Sequence, residues 1–302
     1  MTTDVIRRAE GSLLGLAVGD ALGAPLEFVE HPALPVLTEM TGGGAYDLDP
    51  GQWTDDTSLA ICIAESLTEV GFNLTDQMQR FCRYWHEGYN SSRPGECFDI
   101  GGTTRRALAR FEQTGSVFAG VTDFHTSANG SLMRLAPIPI AFWRSPTLAV
   151  LCAEQSSRVT HVAPLAVDAC RYYAALIVGA LNGATKAQLL DEGVPAGIAP
   201  PPLTPAIGDL AQGLFKRPRL GRVEASGFVV HTLDAALWAF WSTTTFEDGA
   251  IRAVNLGQDA DTTGAVYGQL AGAYYGVDAI PARWLARALV TSQDKFAMAE
   301  TV

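Results

Sequence analysis

Two short clusters of acidic and hydroxyl side chains are the strongest candidates for chemistry, and they lie about 200 residues apart. Residues 53–57 read Trp-Thr-Asp-Asp-Thr, and residues 257–264 read Gly-Gln-Asp-Ala-Asp-Thr-Thr-Gly. If the fold brings the clusters together, four carboxylates and several hydroxyls converge on a small volume. That much negative charge is tolerated in a partly dry site only when cations neutralise it. Hard oxygen ligands of this kind suit magnesium, manganese or calcium rather than zinc or copper.

Each cluster also has an ordinary interpretation. Thr54, Asp55 and Asp56 precede a helical apolar run, where Thr and Asp are favoured as N-caps because they accept bonds from free backbone N–H groups. The second cluster loosely matches a calcium-binding EF-hand loop, but Leu270 stands at position 12, where a bidentate glutamate is required. The EF-hand interpretation therefore fails. Two acidic turns at helix starts remain, and facing turns of this kind could hold two divalent ions about 3.5–4 Å apart.

Composition and charge narrow the class of protein. The chain has 302 residues, of which 48% are hydrophobic and 18% charged, as in a globular protein with a sizeable core. A net charge of −11 argues against nonspecific nucleic-acid binding, although one modified nucleic-acid end in a pocket stays compatible with it. Five dispersed cysteines without a CxxC motif fit neither a disulfide framework nor a zinc site. Because the N-terminus lacks a signal-peptide or membrane-span pattern, we expect a cytoplasmic protein with no membrane partner.

Helical periodicity dominates the chain and predicts an all-α fold. Apolar residues recur at three- and four-residue spacing near the N-terminus and in segments 57–70, 76–89, 103–112, 146–157, 164–181, 230–241, 247–255 and 264–275. Loops rich in glycine, proline or polar residues are predicted at 41–52, 90–102 and 193–206. The proline-rich connector at 193–206 either separates two domains or is a surface insertion. We expect a single domain over 1–302, because the second acid cluster lies beyond the connector and needs the first.

Six motifs, in order along the chain, resemble the ADP-ribosylglycohydrolase family, which includes dinitrogenase-reductase-activating glycohydrolase. They are GLAVGDALGAPLEF at 15–28, WTDDT at 53–57, DIGGTT at 99–104, NGSLMR at 129–134, THVAPLAVDACRYYAAL at 160–176 and NLGQDADTTGA at 255–265. The resemblance covers nearly the whole chain. It implies a compact all-α orthogonal helix bundle with a binuclear magnesium or manganese centre at the base of a cleft.

The resemblance also implies which residues bind metal and which take part in catalysis. The implied ligands of two Mg²⁺ or Mn²⁺ ions are Thr54, Asp55, Asp56, Asp259, Asp261 and Thr262. The implied catalytic residues are Glu27, Asp56 and Asp99. In arginine-directed relatives, an acid at the place of Asp99 would meet a guanidinium in a two-pronged ion pair. From the residues alone, Glu27 could instead be a solvated acid at a helix end, and Asp99 a cap of the helix that starts near Thr103.

A further set of residues is implied to contact ADP-ribose. These residues are Gly101, Gly102, Ser127, Asn129, Gly130, Ser131, His161 and Phe228. Small residues in the 125–131 loop would aim N–H groups at the pyrophosphate, and His161 would hydrogen bond a phosphate or ribose group. Phe228 stands where some relatives carry tyrosine, so stacking is kept but a hydroxyl bond is lost. The competing interpretation of the 125–131 loop is an ordinary turn, and that of His161 is a structural histidine.

The activity implied by the resemblance is hydrolysis of the N-glycosidic bond that links ADP-ribose to a modified protein. Arginine is the expected acceptor, and ADP-ribose is the product. Two alternatives stay open: hydrolysis of O-linked ADP-ribose (on serine, in O-acetyl-ADP-ribose or on a nucleic-acid end) and ADP-ribose binding without catalysis. The intact ligand set argues against binding alone. We expect a monomer whose partner is the ADP-ribosylated protein.

Overall fold

The computed structural model describes residues 2–30, 36–120, 127–191, 202–217, 221 and 223–291. These residues contain thirteen α-helices, named α1 to α13 in chain order. They are Thr3–Gly23, Asp55–Val70, Leu74–Glu87, Gly102–Thr114, Pro137–Ala141, Pro146–Arg158, Pro164–Leu181, Lys186–Leu190, Pro205–Ala211, Val229–Trp241, Phe246–Val254, Ala260–Tyr275 and Ala282–Thr291. Within the described ranges, β structure is limited to two isolated bridges, Gly43 with Leu48 and Ala128 with Phe228. The predicted all-α class is confirmed.

An antiparallel pair of α1 and α12 brings the two ends of the chain together. Along its seam, four glycines of α1 face three glycines and one alanine of α12: Gly11, Gly15, Gly19 and Gly23 against Gly272, Gly268, Gly264 and Ala260. A Cβ added at Gly15 would lie 2.4 Å from the carbonyl oxygen of Gly268. Side chains are therefore excluded from the seam, and the two backbones contact directly. The pair fixes the N-terminus of α12 beside the C-terminal end of α1.

Helix α7 lies in the interior of the fold. Every residue from Asp168 to Leu181 is buried, and the helix contacts α5, α6, α10 and α12. Among the described residues, α7 is the one helix whose length and hydropathy would allow it to cross a membrane. However, 83% of that stretch is buried inside the protein. This burial is typical of a core helix, which the hydrophobic effect stabilises through contact with its neighbours.

Four helices are absent from the periodicity prediction, namely α5, α8, α9 and α13. Helices α5 and α8 span five residues each, too few for a 3.6-residue repeat to be visible in the sequence. Helix α9 begins at Pro205, because proline suits the first helical position, so the end of the predicted 193–206 loop is helical. Residues 193–201 of that loop lie outside the described residues.

The start of α12 also differs from the prediction. The apolar pattern places it near Gly264, whereas the helix begins at Ala260 with Asp259 as its N-cap. Acidic residues are favoured in a first helical turn by the helix dipole, so a polar stretch can already be helical. The earlier start places Asp261 and Thr262 on the first turn of α12.

Candidate active site

The two acid clusters meet at the N-termini of α2 and α12. Thr54 is the N-cap of α2, and neither it nor the N-cap of α12 uses its side chain to cap its helix. Thr54 Oγ1 lies 3.2 Å from Asp56 Oδ2 and 3.3 Å from Asp261 Oδ2. Thr262 Oγ1 lies 3.5 Å from Asp56 Oδ2. Residues from opposite ends of the chain therefore share one site, which argues against simple capping.

Asp20, on the buried face of α1, holds the first acid cluster in place. Its carboxylate accepts hydrogen bonds from the backbone N–H groups of Thr54 and Thr57, at 3.0 and 3.1 Å. It also accepts from the hydroxyls of both threonines, at 3.0 and 2.6 Å. A carboxylate from another helix thus caps α2, where the helix dipole favours negative charge. This role of Asp20 is not predicted by the sequence analysis. The one signal for it in the sequence is an acid on an otherwise apolar helix face.

Three carboxylates converge on one point of the site. One oxygen each of Glu27, Asp99 and Asp261 lies within 4.8 Å of the other two. Tyr46 donates its hydroxyl to Asp99 Oδ1 at 3.0 Å, whereas α4 has Gly101 as its N-cap and no side-chain cap. The capping interpretation of Asp99 is therefore wrong. Glu27 is 8% exposed, so the interpretation of Glu27 as a solvated acid is wrong as well.

A pair of backbone hydrogen bonds ties the turn that carries Glu27 to the second acid cluster. Phe28 N–H donates to Gln258 O at 2.6 Å, and Gln258 N–H donates to Val29 O at 2.8 Å. Phe28 and Gln258 both have positive φ, 62° and 58°, a conformation that residues other than glycine rarely adopt. Such strain persists where the surrounding structure imposes it, often at functional sites. It fixes Glu27 relative to Asp259, the neighbour of Gln258.

Two residues predicted to contact substrate also contact predicted metal ligands. Asn129 Nδ2 donates to Asp259 Oδ2 at 2.8 Å and also lies 2.8 Å from Thr232 Oγ1. Gly101 N–H donates to Asp55 Oδ2 at 3.3 Å. Each bond occupies one carboxylate oxygen and restricts the rotation of that carboxylate. Asn129 and Gly101 therefore orient the acids of the site.

Burial raises the pKa values of six carboxyl groups in the site, and mutual repulsion adds to the rise for five of them. Burial is the largest cause in each case, and neighbouring carboxylates add to it for all of these groups except Asp20. The pKa of Glu27 rises to about 10, and hydrogen bonds hold the rise for Asp20 and Asp99 to about 6. The pKa values of Asp55, Asp56 and Asp261 lie well above their usual range. Among the described residues that line the cavity there is no lysine or arginine.

The chemistry of the site fits divalent cations. Three buried oxygens, Glu27 Oε2, Asp56 Oδ1 and Asp261 Oδ1, have no hydrogen-bond donor among the described residues. A buried charged oxygen without a partner is destabilising, and a cation bound there removes that penalty. Carboxylates and threonine hydroxyls form an all-oxygen ligand set of the kind that binds Mg²⁺ or Mn²⁺.

The predicted metal ligands surround one cavity of about 330 Å³. Four of them line it, namely Asp55, Asp259, Asp261 and Thr262. The other two, Thr54 and Asp56, lie directly behind, in hydrogen-bond contact with Asp261 and Thr262. Glu27 and Asp99, which are predicted to be catalytic, also line the cavity.

The predicted substrate contacts divide between the cavity wall and its support. Those that line the cavity are Gly101, Gly102, Asn129, Gly130 and His161. Phe228 is 38% exposed and pairs through an isolated bridge with Ala128, the neighbour of Ser127 and itself part of the wall. Ser131 is buried and lies 2.8 Å from the hydroxyl of Ser157, which places it in the support of the wall. Residues 125 and 126 of the predicted loop lie outside the described residues.

Known sequences that are similar to this chain belong to the family that the six motifs resemble. The sequence model of the ADP-ribosylglycohydrolase family matches residues 1–300. The chain is 41% identical over 279 residues to the ADP-ribosylarginine hydrolase Tri1 of Pseudomonas putida (strain GB-1), over 92% of this chain and 73% of the relative. It is 33% identical over 285 residues to the ADP-ribosyl-dinitrogen reductase glycohydrolase of Rhodospirillum rubrum, over 93% of this chain and 90% of the relative.

A solved structure shares the fold. It is described as an ADP-ribosylglycohydrolase-related protein complex and superimposes with a TM-score of 0.84 at 44% sequence identity. The match covers 98% of this chain and 96% of that chain. The family predicted from the six motifs is thereby confirmed, and the chain belongs to the ADP-ribosylglycohydrolase family.

Proposed function

We propose that this chain is a divalent-metal-dependent hydrolase that removes ADP-ribose from arginine side chains of modified proteins. The observation that carries the proposal is the shared cavity, in which acids from α2 and α12 meet Glu27 and Asp99 around oxygens that lack donors. The relative at 41% identity is named an ADP-ribosylarginine hydrolase, which supports the same linkage. The complete set of predicted ligands, four aspartates and two threonines, favours an enzyme over a binding protein.

The metal centre of this proposal has two Mg²⁺ or Mn²⁺ ions. Their ligands would be Thr54, Asp55, Asp56, Asp259, Asp261 and Thr262, with Glu27 beside them. When bound, such ions orient the hydroxyls of the distal ribose and lower the pKa of a bound water or hydroxyl. Asp20 supports the centre from behind through its four contacts to Thr54 and Thr57.

Proton transfer is assigned to Glu27. Hydrolysis breaks the bond between C1″ and the guanidino nitrogen, adds the oxygen of water to C1″ and leaves a proton on the departing nitrogen. Burial, together with the nearby charges of Asp99 and Asp259, raises the pKa of the Glu27 carboxyl to about 10. Near a bound cation this pKa falls toward neutrality, the range in which a carboxyl group can accept a proton and return it. Glu27 is thus suited to act as the acid/base group.

Asp99 supports arginine as the acceptor. One of its oxygens accepts from Tyr46, and a carboxylate has room for further donors on both oxygens. A guanidinium can bind such a carboxylate through two parallel charge-assisted hydrogen bonds. Serine-linked and nucleic-acid-linked ADP-ribose bring no positive charge to this position. Asp99→Asn is therefore expected to reduce turnover of the arginine linkage more than any turnover of the serine linkage.

A panel of substrates tests the proposal. The purified protein is incubated in Mg²⁺ or Mn²⁺ with arginine-linked, serine-linked and nucleic-acid-linked ADP-ribose, and release is followed by mass spectrometry. Release from arginine that stops with excess chelator is the expected result. Release from serine or nucleic acid alone would contradict the acceptor, and binding of ADP-ribose without any release would contradict the enzyme.

The organisation of the chain is part of the proposal. We assign residues 1–302 to one domain, supported by ligands on both sides of the 193–206 segment that complete a single cavity. We also assign a monomer that works in the cytoplasm. Gel filtration with light scattering checks the oligomeric state. A mass of twice 32.1 kDa would contradict the monomer.

A further inference from the structure

A chain of buried polar groups, separate from the acids of the site, ends at His161 on the cavity wall. Arg134, Thr160 and His161 are each at most 1% exposed. Arg134 Nη2 donates to Thr160 Oγ1 at 2.7 Å, and Thr160 Oγ1 lies 2.8 Å from His161 Nδ1. We call these three residues the Arg134 relay. It connects a buried cation to one ring nitrogen of a residue that lines the cavity.

The donors and acceptors available to the three side chains determine the direction of each hydrogen bond in the relay. A guanidinium has only donors, so Thr160 Oγ1 must accept from Arg134. If His161 Nδ1 carried the proton, the Thr160 hydroxyl proton would need another acceptor, and the described part of the chain offers none within bonding distance. A buried donor left unpaired is destabilising. Thr160 therefore donates to Nδ1, and His161 carries its proton on Nε2.

The other side of the His161 ring is open to the cavity. No described residue hydrogen bonds to Nε2, and Gly130 leaves the space beside it free, since a Cβ added there would lie 3.0 Å from Nε2. Burial and the charge of Arg134 lower the pKa of His161 to about 3, so the ring is neutral at physiological pH. His161 thus presents one N–H donor and no charge to a ligand.

Arg134 adds a positive charge that forms no ion pair with a carboxylate of the described residues. Within the described ranges it forms no ion pair, its Nη1 has no hydrogen-bond partner, and its guanidinium lies 4.4 Å from the ring centre of Phe81. Burial lowers the pKa of Arg134 to about 10, which still leaves it charged at neutral pH. A cation that donates to a hydroxyl strengthens that hydroxyl as a donor, and the polarisation passes along the chain of bonds.

We propose that the Arg134 relay holds His161 as a neutral Nε2–H donor for an anionic oxygen of the ligand, with Arg134 and Thr160 as positioning residues. The ligand class is a diphosphate-linked nucleotide such as ADP-ribose, and this part of the inference rests on the proposed function. The relay explains how a cavity crowded with carboxylates accepts an anion. The acids hold cations on one side, and a buried arginine strengthens a neutral donor on the other.

The tautomer is measured by nuclear magnetic resonance on protein labelled with ¹⁵N-histidine, in diamagnetic Mg²⁺. Two-bond ¹H–¹⁵N correlations distinguish a protonated ring nitrogen from a bare one, and His161→Gln assigns the signal among five histidines. The expected wild-type spectrum has Nε2 protonated and Nδ1 bare. Thr160→Val, which keeps the shape but removes the hydroxyl, is expected to lose that preference.

Binding and kinetics complete the test. Thr160→Val is expected to weaken binding of free ADP-ribose about tenfold, the loss expected for one hydrogen bond. The KM should rise with kcat nearly unchanged, because the bond is made in both ground and transition states. Thr160→Ser should restore the spectrum and the affinity. Thr68→Val, at an exposed position of α2, is the matched control and should change neither.

Each outcome decides a separate part of the inference. A wild-type His161 protonated on Nδ1 overturns the relay, whether or not the variants fold. An unchanged affinity in folded Thr160→Val overturns the positioning role. Wild-type protein that shows the Nε2–H tautomer but binds no ADP-ribose overturns the ligand assignment together with the proposed function. Binding of ADP-ribose with the Nδ1–H tautomer overturns the relay alone.

Discussion

Two groups of acids in this chain differ in whether the protein supplies a cation to them: one surrounds the buried guanidinium of Arg80, and the other lines the cavity. In the first, Glu65, Glu69 and Asp76 surround Arg80, with contacts of 3.1, 2.6 and 2.7 Å. Two further side chains donate to Glu65 Oε2 at 2.7 and 2.8 Å. We call this group the Arg80 cluster. The carboxylates of this cluster are therefore paired with a cation and with hydrogen-bond donors of the protein itself.

The second group, the acids of the cavity, has no such cation in its described lining. The contrast is visible in the pKa values. Burial opposes ionisation of Asp76, but the hydrogen bond from Arg80 and the charge of Arg80 lower its pKa overall. Burial raises the pKa of Asp56, and nearby Asp20 and Asp55 raise it further. The acids around Arg80 thus have an internal cation, whereas the described lining of the cavity supplies none, which fits the divalent ions proposed for it.

Removing the internal cation should have the largest effect on stability. Arg80→Met leaves Glu65 buried without its partner, and we expect the free energy of unfolding to fall by about 3–5 kcal/mol. Chemical denaturation measures the loss. The surface pair Arg158 with Glu154 is the control, since Arg158→Met should cost less than about 1 kcal/mol. Equal stability of the two variants would contradict the role given to the Arg80 cluster.

Removing an acid of the cavity should instead affect activity. Asp261→Asn keeps the shape but removes one charged oxygen that has no donor among the described residues. We expect ADP-ribose release to fall by about 100-fold or more, with the free energy of unfolding unchanged or raised, because a buried charge is lost. Asp209→Asn, at an exposed position, is the matched control. Full activity of Asp261→Asn in excess chelator would contradict the metal assignment.

Removing divalent ions should lower thermal stability and make it depend on pH. The folded-state pKa values of Glu27, Asp20 and Asp99 (about 10, 6 and 6) exceed the ordinary values of 4.5 and 3.8. Between the ordinary and raised values the folded chain binds more protons than the unfolded chain, so the stability of metal-free protein falls as pH rises from about 4 to about 8. At about pH 8, chelator should lower Tm by about 5 °C or more.

Scanning calorimetry with and without Mg²⁺ checks both parts of this expectation. Saturating Mg²⁺ should raise Tm and flatten its pH dependence, since the cation replaces the protons. If the Tm of the metal-free protein instead rises steadily over the same pH range, the pKa values of the cavity acids are not raised in the folded state.

The smallest of these effects is expected at the support behind the metal site. Asp20→Asn keeps the size of the side chain but weakens its bonds to Thr54 and Thr57. We expect the affinity for Mg²⁺ to fall about tenfold, as for other residues that orient metal ligands. Isothermal titration measures the affinity. An unchanged affinity would show that the first acid cluster keeps its geometry without the Asp20 carboxylate.

The contrast between these regions also shows what the sequence could predict. Helices with long apolar repeats and the two acidic turns are visible because their signals are local. The candidate metal ligands of the second turn are found from Asp259 and Asp261 standing before an apolar run, although the helix starts at Ala260. Short helices such as α5 and α8 carry too few residues for a periodic signal.

Residues that act through a distant partner are the ones missed. Asp20 and Arg134 lie in recognisable motifs, but their roles depend on Thr57, 37 residues away, and on Thr160, 26 residues away. No spacing rule links such positions, since the contacts exist only after α1, α2 and the 127–136 segment have packed. Conversely, Ser131 looks like a loop contact in the sequence, whereas its burial makes it part of the support.

The central claim is that the cavity acids hold divalent ions that the protein's own side chains do not replace. A crystal structure grown with Mn²⁺ tests it most directly through anomalous difference density. We predict two peaks among Asp55, Asp56, Asp259 and Asp261, and none beside Arg80. A well-ordered cavity without a peak at saturating Mn²⁺ would contradict the account.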